Sequence, residues 1–221
     1  MNRFALASIA FLAASPALAD VTIGNPPLDN IGNCFPFSCE YNGNYQQIYG
    51  AGAFSGPLTI TGLRFYNTEY NSGSTELASG TWSISLSTSS TPILGLSSNP
   101  ANNIGVDNTL VFTGDIGRPW SFGDTLDIAF TTGFTYDPGL GNLLVDINAS
   151  GLANGADIFF DETSDNTFTR RNYNGSLDSL ALVTTFVTGP APTPTPEPAS
   201  VALLAGAVLG LAASRRRRPR A

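Results

Sequence analysis

The run GTWSISLSTS at residues 80–89 alternates without a break: Trp82, Ile84 and Leu86 fall on one side, and Ser83, Ser85 and Ser87 on the other. A helix would smear those residues around its circumference. Only a strand with one face buried and one face wet satisfies a period of two. The same reading applies to GDTLDIAFTT, where Leu126, Ile128 and Phe130 alternate with Asp127 and Ala129. It applies also to GPLTITGLRFYNT, NTLVFTGDI, GNLLVDINAS, ADIFFDET and SLALVTTFVT. Gly, Asn and Asp-Pro signals punctuate these runs, and no long segment carries helical periodicity. About eight to ten short strands in one domain predict an all-β fold, an antiparallel two-sheet β-sandwich that is jelly-roll-like. A parallel β-solenoid is the alternative, and the chain has no fixed internal period to support it.

The two ends read differently from the body. Arg3 precedes an apolar stretch from Phe4 to Ala14, and Ala17-Leu18-Ala19 supplies small residues for cleavage. That three-part layout predicts a secretory signal peptide at residues 1–19, cut after Ala19. Downstream, about 175 residues form one domain-sized segment, with the strand-bearing part expected at residues 20–188.

Charge within that segment excludes whole classes of function. Between Asp20 and Pro196 stand four basic residues (Arg64, Arg118, Arg170, Arg171) against 16 acidic ones, a balance of −12. Such a body repels phosphate backbones, so no nucleic-acid partner is expected. The chain has no histidine and no lysine. Ser-His-Asp and Cys-His machinery, histidine metal ligands and Schiff-base chemistry are therefore closed to it.

Two cysteines occur, Cys34 and Cys39, in NCFPFSCEY. In an exported chain this close even pair predicts a structural disulfide rather than a metal or redox site. Closing so short a loop contributes about 2 kcal/mol on the chain-entropy model.

The C-terminal stretch is ordered in four pieces. GPAPTPTPEP, residues 189–198, alternates proline with small residues and is expected to be extended and semi-rigid. From Ala199 to Ser214 runs an apolar segment rich in Ala, Leu, Val and Gly. As a helix of about 16 residues it reaches about 24 Å, short of a hydrocarbon core of about 30 Å, so it would span by thinning the bilayer or by snorkelling of flanking arginines. Arg215, Arg216, Arg217 and Arg218 follow, within a basic tail at residues 215–221 that is expected on the cytoplasmic side. Linker, motif, helix and tail together resemble the PEP-CTERM sorting signal of Gram-negative bacteria. The motif is Pro196-Glu197-Pro198. The resemblance implies recognition by a membrane-embedded exosortase, removal of the helix near the motif, and delivery to the cell surface or exopolysaccharide matrix. A permanent single-pass anchor is the alternative. The body also resembles other PEP-CTERM proteins through YQQIYGAGAFSGPLTITGLRFYNT and FTYDPGLGNLLVDI, and no activity comes with that likeness. The aromatic residues Tyr45, Tyr49, Phe54, Phe65 and Tyr66 read as strand and core positions.

Only carboxylate chemistry remains open in the body. The densest acidic stretch is ADIFFDETSDNT, with Asp157, Asp161, Glu162, Asp165 and Asn166. Hard oxygen ligands in an exported protein suit calcium, but the stretch lacks the spacing of an EF-hand loop, and a solvated turn explains it equally well. A glycosidase would need paired carboxylates across a cleft, and no two here have a defined geometry. Carbohydrate binding without catalysis would need an exposed aromatic platform, for which Trp120, between Pro119 and Ser121, is the candidate; a buried tryptophan is the favoured reading of the same residue. The expected function is thus a non-enzymatic surface or matrix protein with no obligate cofactor. The alternative is a secreted carbohydrate-active enzyme or a carbohydrate- or calcium-binding module.

Overall fold

A computed structural model describes residues 19–25, 32–39, 42–153, 157–164 and 166–189. The predicted signal peptide apart from Ala19, the Pro-rich linker beyond Gly189, the apolar helix, the arginine tail and Asp165 lie outside the described residues. The described residues are all-β and paired antiparallel throughout. In chain order the strands are β1 (Val21–Ile23), β2 (Gly43–Tyr49), β3 (Leu58–Tyr66), β4 (Glu76–Leu77), β5 (Ser79–Ser89), β6 (Thr109–Gly114) and β7 (Arg118–Pro119). They continue with β8 (Thr125–Tyr136), β9 (Asn142–Ala153), β10 (Glu162–Thr163), β11 (Thr169–Tyr173), β12 (Ser176–Asp178), β13 (Ala181–Leu182) and β14 (Thr184–Thr188).

Two sheets carry the architecture. One has four strands in the order β1-β14-β3-β8, and the other has six in the order β12-β11-β2-β9-β5-β6. The β11–β12 hairpin extends the larger sheet. Without it, and without the two-residue strands, the chain places its first, last, third and sixth strands in one sheet. Its second, seventh, fourth and fifth lie in the other. That order is consistent with a two-sheet sandwich of jelly-roll type. Side chains from both sheets share one core: Tyr49 of β2 meets Phe186 of β14 edge-on at 4.8 Å, and Trp82, Ile84 and Leu86 of β5 are fully buried.

The period-two runs become strands for the reason the pattern implies. Leu126, Ile128, Phe134 and Tyr136 of β8 turn inward, while Asp127 and Ala129 face solvent. Where β3 and β8 slip register between Ile60 and Gly62, a side chain at Gly62 would press on the Ile128 carbonyl at 2.8 Å. Glycine is what lets the two backbones approach at that bulge.

One departure from the sequence expectation and two details beyond it are informative. ADIFFDET is not a continuous strand; Phe160 makes a lone bridge to Asn33 and only Glu162–Thr163 pairs onward, with β13. β2 lies between β9 and β11 in the larger sheet although its run, GNYQQIY, looks polar. Its buried amides are satisfied: Gln47 donates to the Leu182 carbonyl (2.8 Å) and accepts from the Leu182 N–H (3.0 Å) and the Tyr45 hydroxyl (2.7 Å). Once paired, such groups cost little to bury. The third is the β11–β12 hairpin, whose turn residues Asn174 and Gly175 both adopt positive φ (46° and 86°). The Asn-Gly pair is the sequence signal that finds it.

Candidate functional site

The acidic stretch is held by the fold rather than opened to solvent. The Asp161 N–H donates to the Tyr66 carbonyl (2.7 Å), and the Asp161 carbonyl accepts from Val183 N–H (2.9 Å). That lacing points the carboxylate at the start of the loop after β3. There it accepts from the backbone N–H groups of Thr68 (2.7 Å) and Glu69 (3.0 Å) and from the Thr68 hydroxyl (2.6 Å). Asp161 is 2 % exposed and Glu162 is buried, whereas Asp157 is exposed and offers its backbone carbonyl to Ser74 Oγ at 3.0 Å. Among the described residues no three His, Cys, Asp or Glu side chains gather in a way that holds a metal ion. The structure therefore spreads the candidate calcium ligands: Asp161 clamps a loop, Glu162 packs inward, Asp157 faces outward, and Asp165 is outside the described residues.

Trp120 takes the buried position that was the favoured reading, and not that of an exposed platform. It is 3 % exposed, donates its indole N–H to Asn67 Oδ1 at 3.0 Å, and packs against Phe160 at 5.5 Å. The Arg118 guanidinium stands over its ring at 5.2 Å. No face is left for a sugar to stack on. What the sequence does not supply is the identity of its partners, Asn67 and Phe160.

Cys34 and Cys39 form a disulfide with their Cα atoms 5.7 Å apart. Between them Phe37 is fully buried, against Phe65 at 4.8 Å and Phe160 at 5.6 Å. Ser38 Oγ accepts the Ile158 N–H at 2.8 Å. The loop is thus a plug that drives an aromatic ring into the core, a structural use of the pair.

Asp146 on β9 is a buried carboxylate in the larger sheet. Burial pushes its pKa above the usual carboxylate value, partly offset by the hydrogen bond it accepts from Asn44 Nδ2 at 2.6 Å. Its cross-strand neighbours are Gln46 on β2 and Ser85 on β5. A retaining glycosidase places its second carboxyl group about 5–5.5 Å away, the spacing of a cross-strand pair. Neither neighbour supplies one.

Missed in the sequence was how the two ends of the body meet. β1 pairs antiparallel with β14, Val21 opposite Phe186, and the Asp20 carboxylate accepts the Thr188 N–H at 2.9 Å. The residue that follows the predicted signal cleavage point thus touches the last residue of the last strand. Ala17 and the residues before it lie outside the described region, as do Pro196, Glu197, Pro198 and Arg215 to Arg218. Among the described residues no helix is long and apolar enough to cross a membrane, and the predicted helix at 199–214 is not among them.

No curated protein and no solved structure matches the chain. One family model does match, over residues 194–218, which contain Pro196-Glu197-Pro198, the apolar segment and Arg215 to Arg218. The chain therefore carries the PEP-CTERM protein-sorting motif.

Proposed function

We propose that this chain is an exported, exosortase-sorted surface or matrix protein whose β domain has a structural or binding role and no catalytic one. The observation that carries the reading is the match of residues 194–218 to the PEP-CTERM sorting motif. An exosortase is the processing partner that such a motif implies. In this reading the signal peptide threads the chain outward, the segment 199–214 holds it in the inner membrane, and Arg215 to Arg218 keep its end in the cytoplasm. Cutting near Pro196–Pro198 then releases the domain.

The geometry of the body suits that sequence of events. Because β14 lies between β1 and β3, the four-stranded sheet closes only after residues 184–188 have crossed the membrane. The β1–β14 pairing brings the start and the end of the domain to the same place, so both membrane-directed segments leave from one end.

The test is the intact mass of protein recovered from the membrane, the cell surface and the medium. Loss of residues 1–19 together with loss of the helix near Pro196–Pro198 is the expected result. A surface form that keeps the helix and the arginines would make the chain a permanently anchored ectodomain and overturn the release step.

A further inference from the structure

The direction of the strands fixes which loops share the end of the body from which the chain leaves. Thr188 closes β14 opposite Ile60, and the Gly189 N–H donates to the Thr59 carbonyl at 3.2 Å. β3 begins there, with Leu58 opposite Tyr136, the last residue of β8. The turn at residues 137–141 then leads into β9, whose first residue, Asn142, stands opposite Ser89 at the end of β5. The segment 90–108, between β5 and β6, therefore lies at the same end as the 137–141 turn, Asp20 and Gly189.

This end presents aliphatic side chains to solvent. Val106 is fully exposed, Leu140 is 75 % exposed and Leu94 is 70 % exposed, and Ile104 is exposed as well. An exposed leucine standing alone is ordinary. These stand on adjoining loops that are pinned from beneath. Asn142 Nδ2 donates to the Thr91 carbonyl at 2.8 Å, Ser89 Oγ to the Asn103 carbonyl at 2.6 Å, and the Gly105 N–H to Ser87 Oγ at 3.1 Å. The loop makes these polar contacts inward and leaves its aliphatic side chains outside. Two carboxylates share the loops: Asp107 accepts the Thr88 N–H at 2.7 Å, and Asp137 accepts the Gly139 N–H at 2.9 Å.

The chain that continues from this end names the occupant. Only residues 190–198 separate Gly189 from the apolar segment 199–214, at most about 35 Å of polypeptide. A bilayer holding that segment offers an apolar layer to the aliphatic side chains and a hydrated headgroup layer to Asp107 and Asp137. A second copy on the same face would instead bring those carboxylates toward their own like charges. We propose that this end is a membrane-docking face, and that Leu94, Val106 and Leu140 enter the interfacial layer of the bilayer while the chain is tethered. The proposal rests on the reading that residues 199–214 hold the chain in the inner membrane.

The test reconstitutes the sorting intermediate, residues 20–221, into phosphatidylcholine vesicles. Single substitutions Val106→Cys, Leu140→Cys and Phe122→Cys each carry an environment-sensitive fluorophore. Phe122 is the control, because it is exposed and apolar but precedes β8 at the opposite end. Labels at 106 and 140 should shift to the blue and lose about half their emission when the vesicles contain doxyl-labelled phosphatidylcholine. The label at 122 should do neither. Equal responses at all three positions overturn the proposal. A blue shift at 106 and 140 without quenching by the doxyl lipid also overturns it, since a second copy and not lipid then covers the face. Leu94→Ser, Val106→Ser and Leu140→Ser combined, with the label at Ile104→Cys, should lose at least half of the quenching seen at that position without them; undiminished quenching overturns the assignment to these side chains. Alkaline extraction of the same vesicles separates the two readings. A chain that resists extraction but shows no quenching overturns the docking face alone. A chain that is extracted overturns the membrane hold, and the quenching at 106 and 140, now without a tether, still decides the face.

Discussion

Removing the Asp161 carboxylate tests whether the acidic stretch serves the fold or a metal. In the structure both carboxylate oxygens are occupied by the 68–69 loop, through two backbone N–H groups and one hydroxyl. Asp161→Ala releases all three. The Thr68 hydroxyl can turn to water, since Thr68 is exposed, so the loss is carried by the two backbone donors. Hydrogen bonds to a charged acceptor contribute about 1.5 kcal/mol each at the low end, which puts the destabilisation at about 3 kcal/mol. For a domain of this size that lowers Tm by about 6–12 °C. Asp161→Asn keeps an acceptor for the backbone and should lose about 1 kcal/mol. The assay is thermal unfolding by circular dichroism, run with a chelator and again with millimolar calcium. The near-ultraviolet band should report the loop as well, because Asn67 beside it accepts from the Trp120 indole and donates to the Phe159 carbonyl at 2.6 Å. The reasoning fails if Asp161→Ala melts within about 1 °C of the wild type, a shift worth less than about 0.5 kcal/mol. It also fails if calcium raises the wild-type Tm and Asp161→Ala abolishes that rise, since the carboxylate's partner would then be the metal.

Three further changes, at two sites, probe buried charge. Arg171 is 4 % exposed and meets Asp178 through two hydrogen bonds, at 2.6 and 3.0 Å; burial alone would lower its pKa, and the Asp178 carboxylate more than offsets this. Asp178→Asn should destabilise by about 2 kcal/mol, below the range for a wholly buried pair because Asp178 itself is partly exposed. Arg171→Met should cost less, since it removes the desolvated charge instead of stranding it, and denaturant unfolding of both variants checks that order. Asp146 should give a pH signature of opposite sign to an ordinary salt-bridged carboxylate. Its folded pKa is raised by burial, so between the unfolded value near 3.8 and the folded value the native state holds more protons than the unfolded one. Its contribution is therefore greatest at acid pH and declines as pH rises through that window. Asp146→Asn should flatten the decline and raise Tm at neutral pH; a neutral-pH Tm below wild type would contradict the assignment.

What could be read from the chain depended on whether the physics was local. Alternation is a property of neighbours in sequence, so Trp82, Ile84 and Leu86 announced β5, and Leu126 and Ile128 announced β8, before any partner strand was known. The terminal signals are linear as well, read by export and processing machinery from an extended chain, and residues 194–218 needed no fold to be recognised. The partners of β2 and β11 were harder to read. Gln46 and Gln47 of β2 look like surface residues until Asn103 and Leu182 arrive from distant segments to satisfy them, and Arg171 of β11 looks exposed until the β12 strand of its own hairpin brings Asp178 opposite. The same holds for the chemistry. Asp161 was a candidate calcium ligand until Thr68 and Glu69 closed on it, and for Trp120 burial was the favoured reading while its partners Asn67 and Phe160 were not legible. The sequence by itself determined the all-β class and the sorting motif, because strand periodicity and linear signals are written in consecutive residues. Which polar groups are buried, which aromatic ring is exposed and where the two ends meet were decided only by tertiary structure, because each depends on partners that the chain brings together from far away.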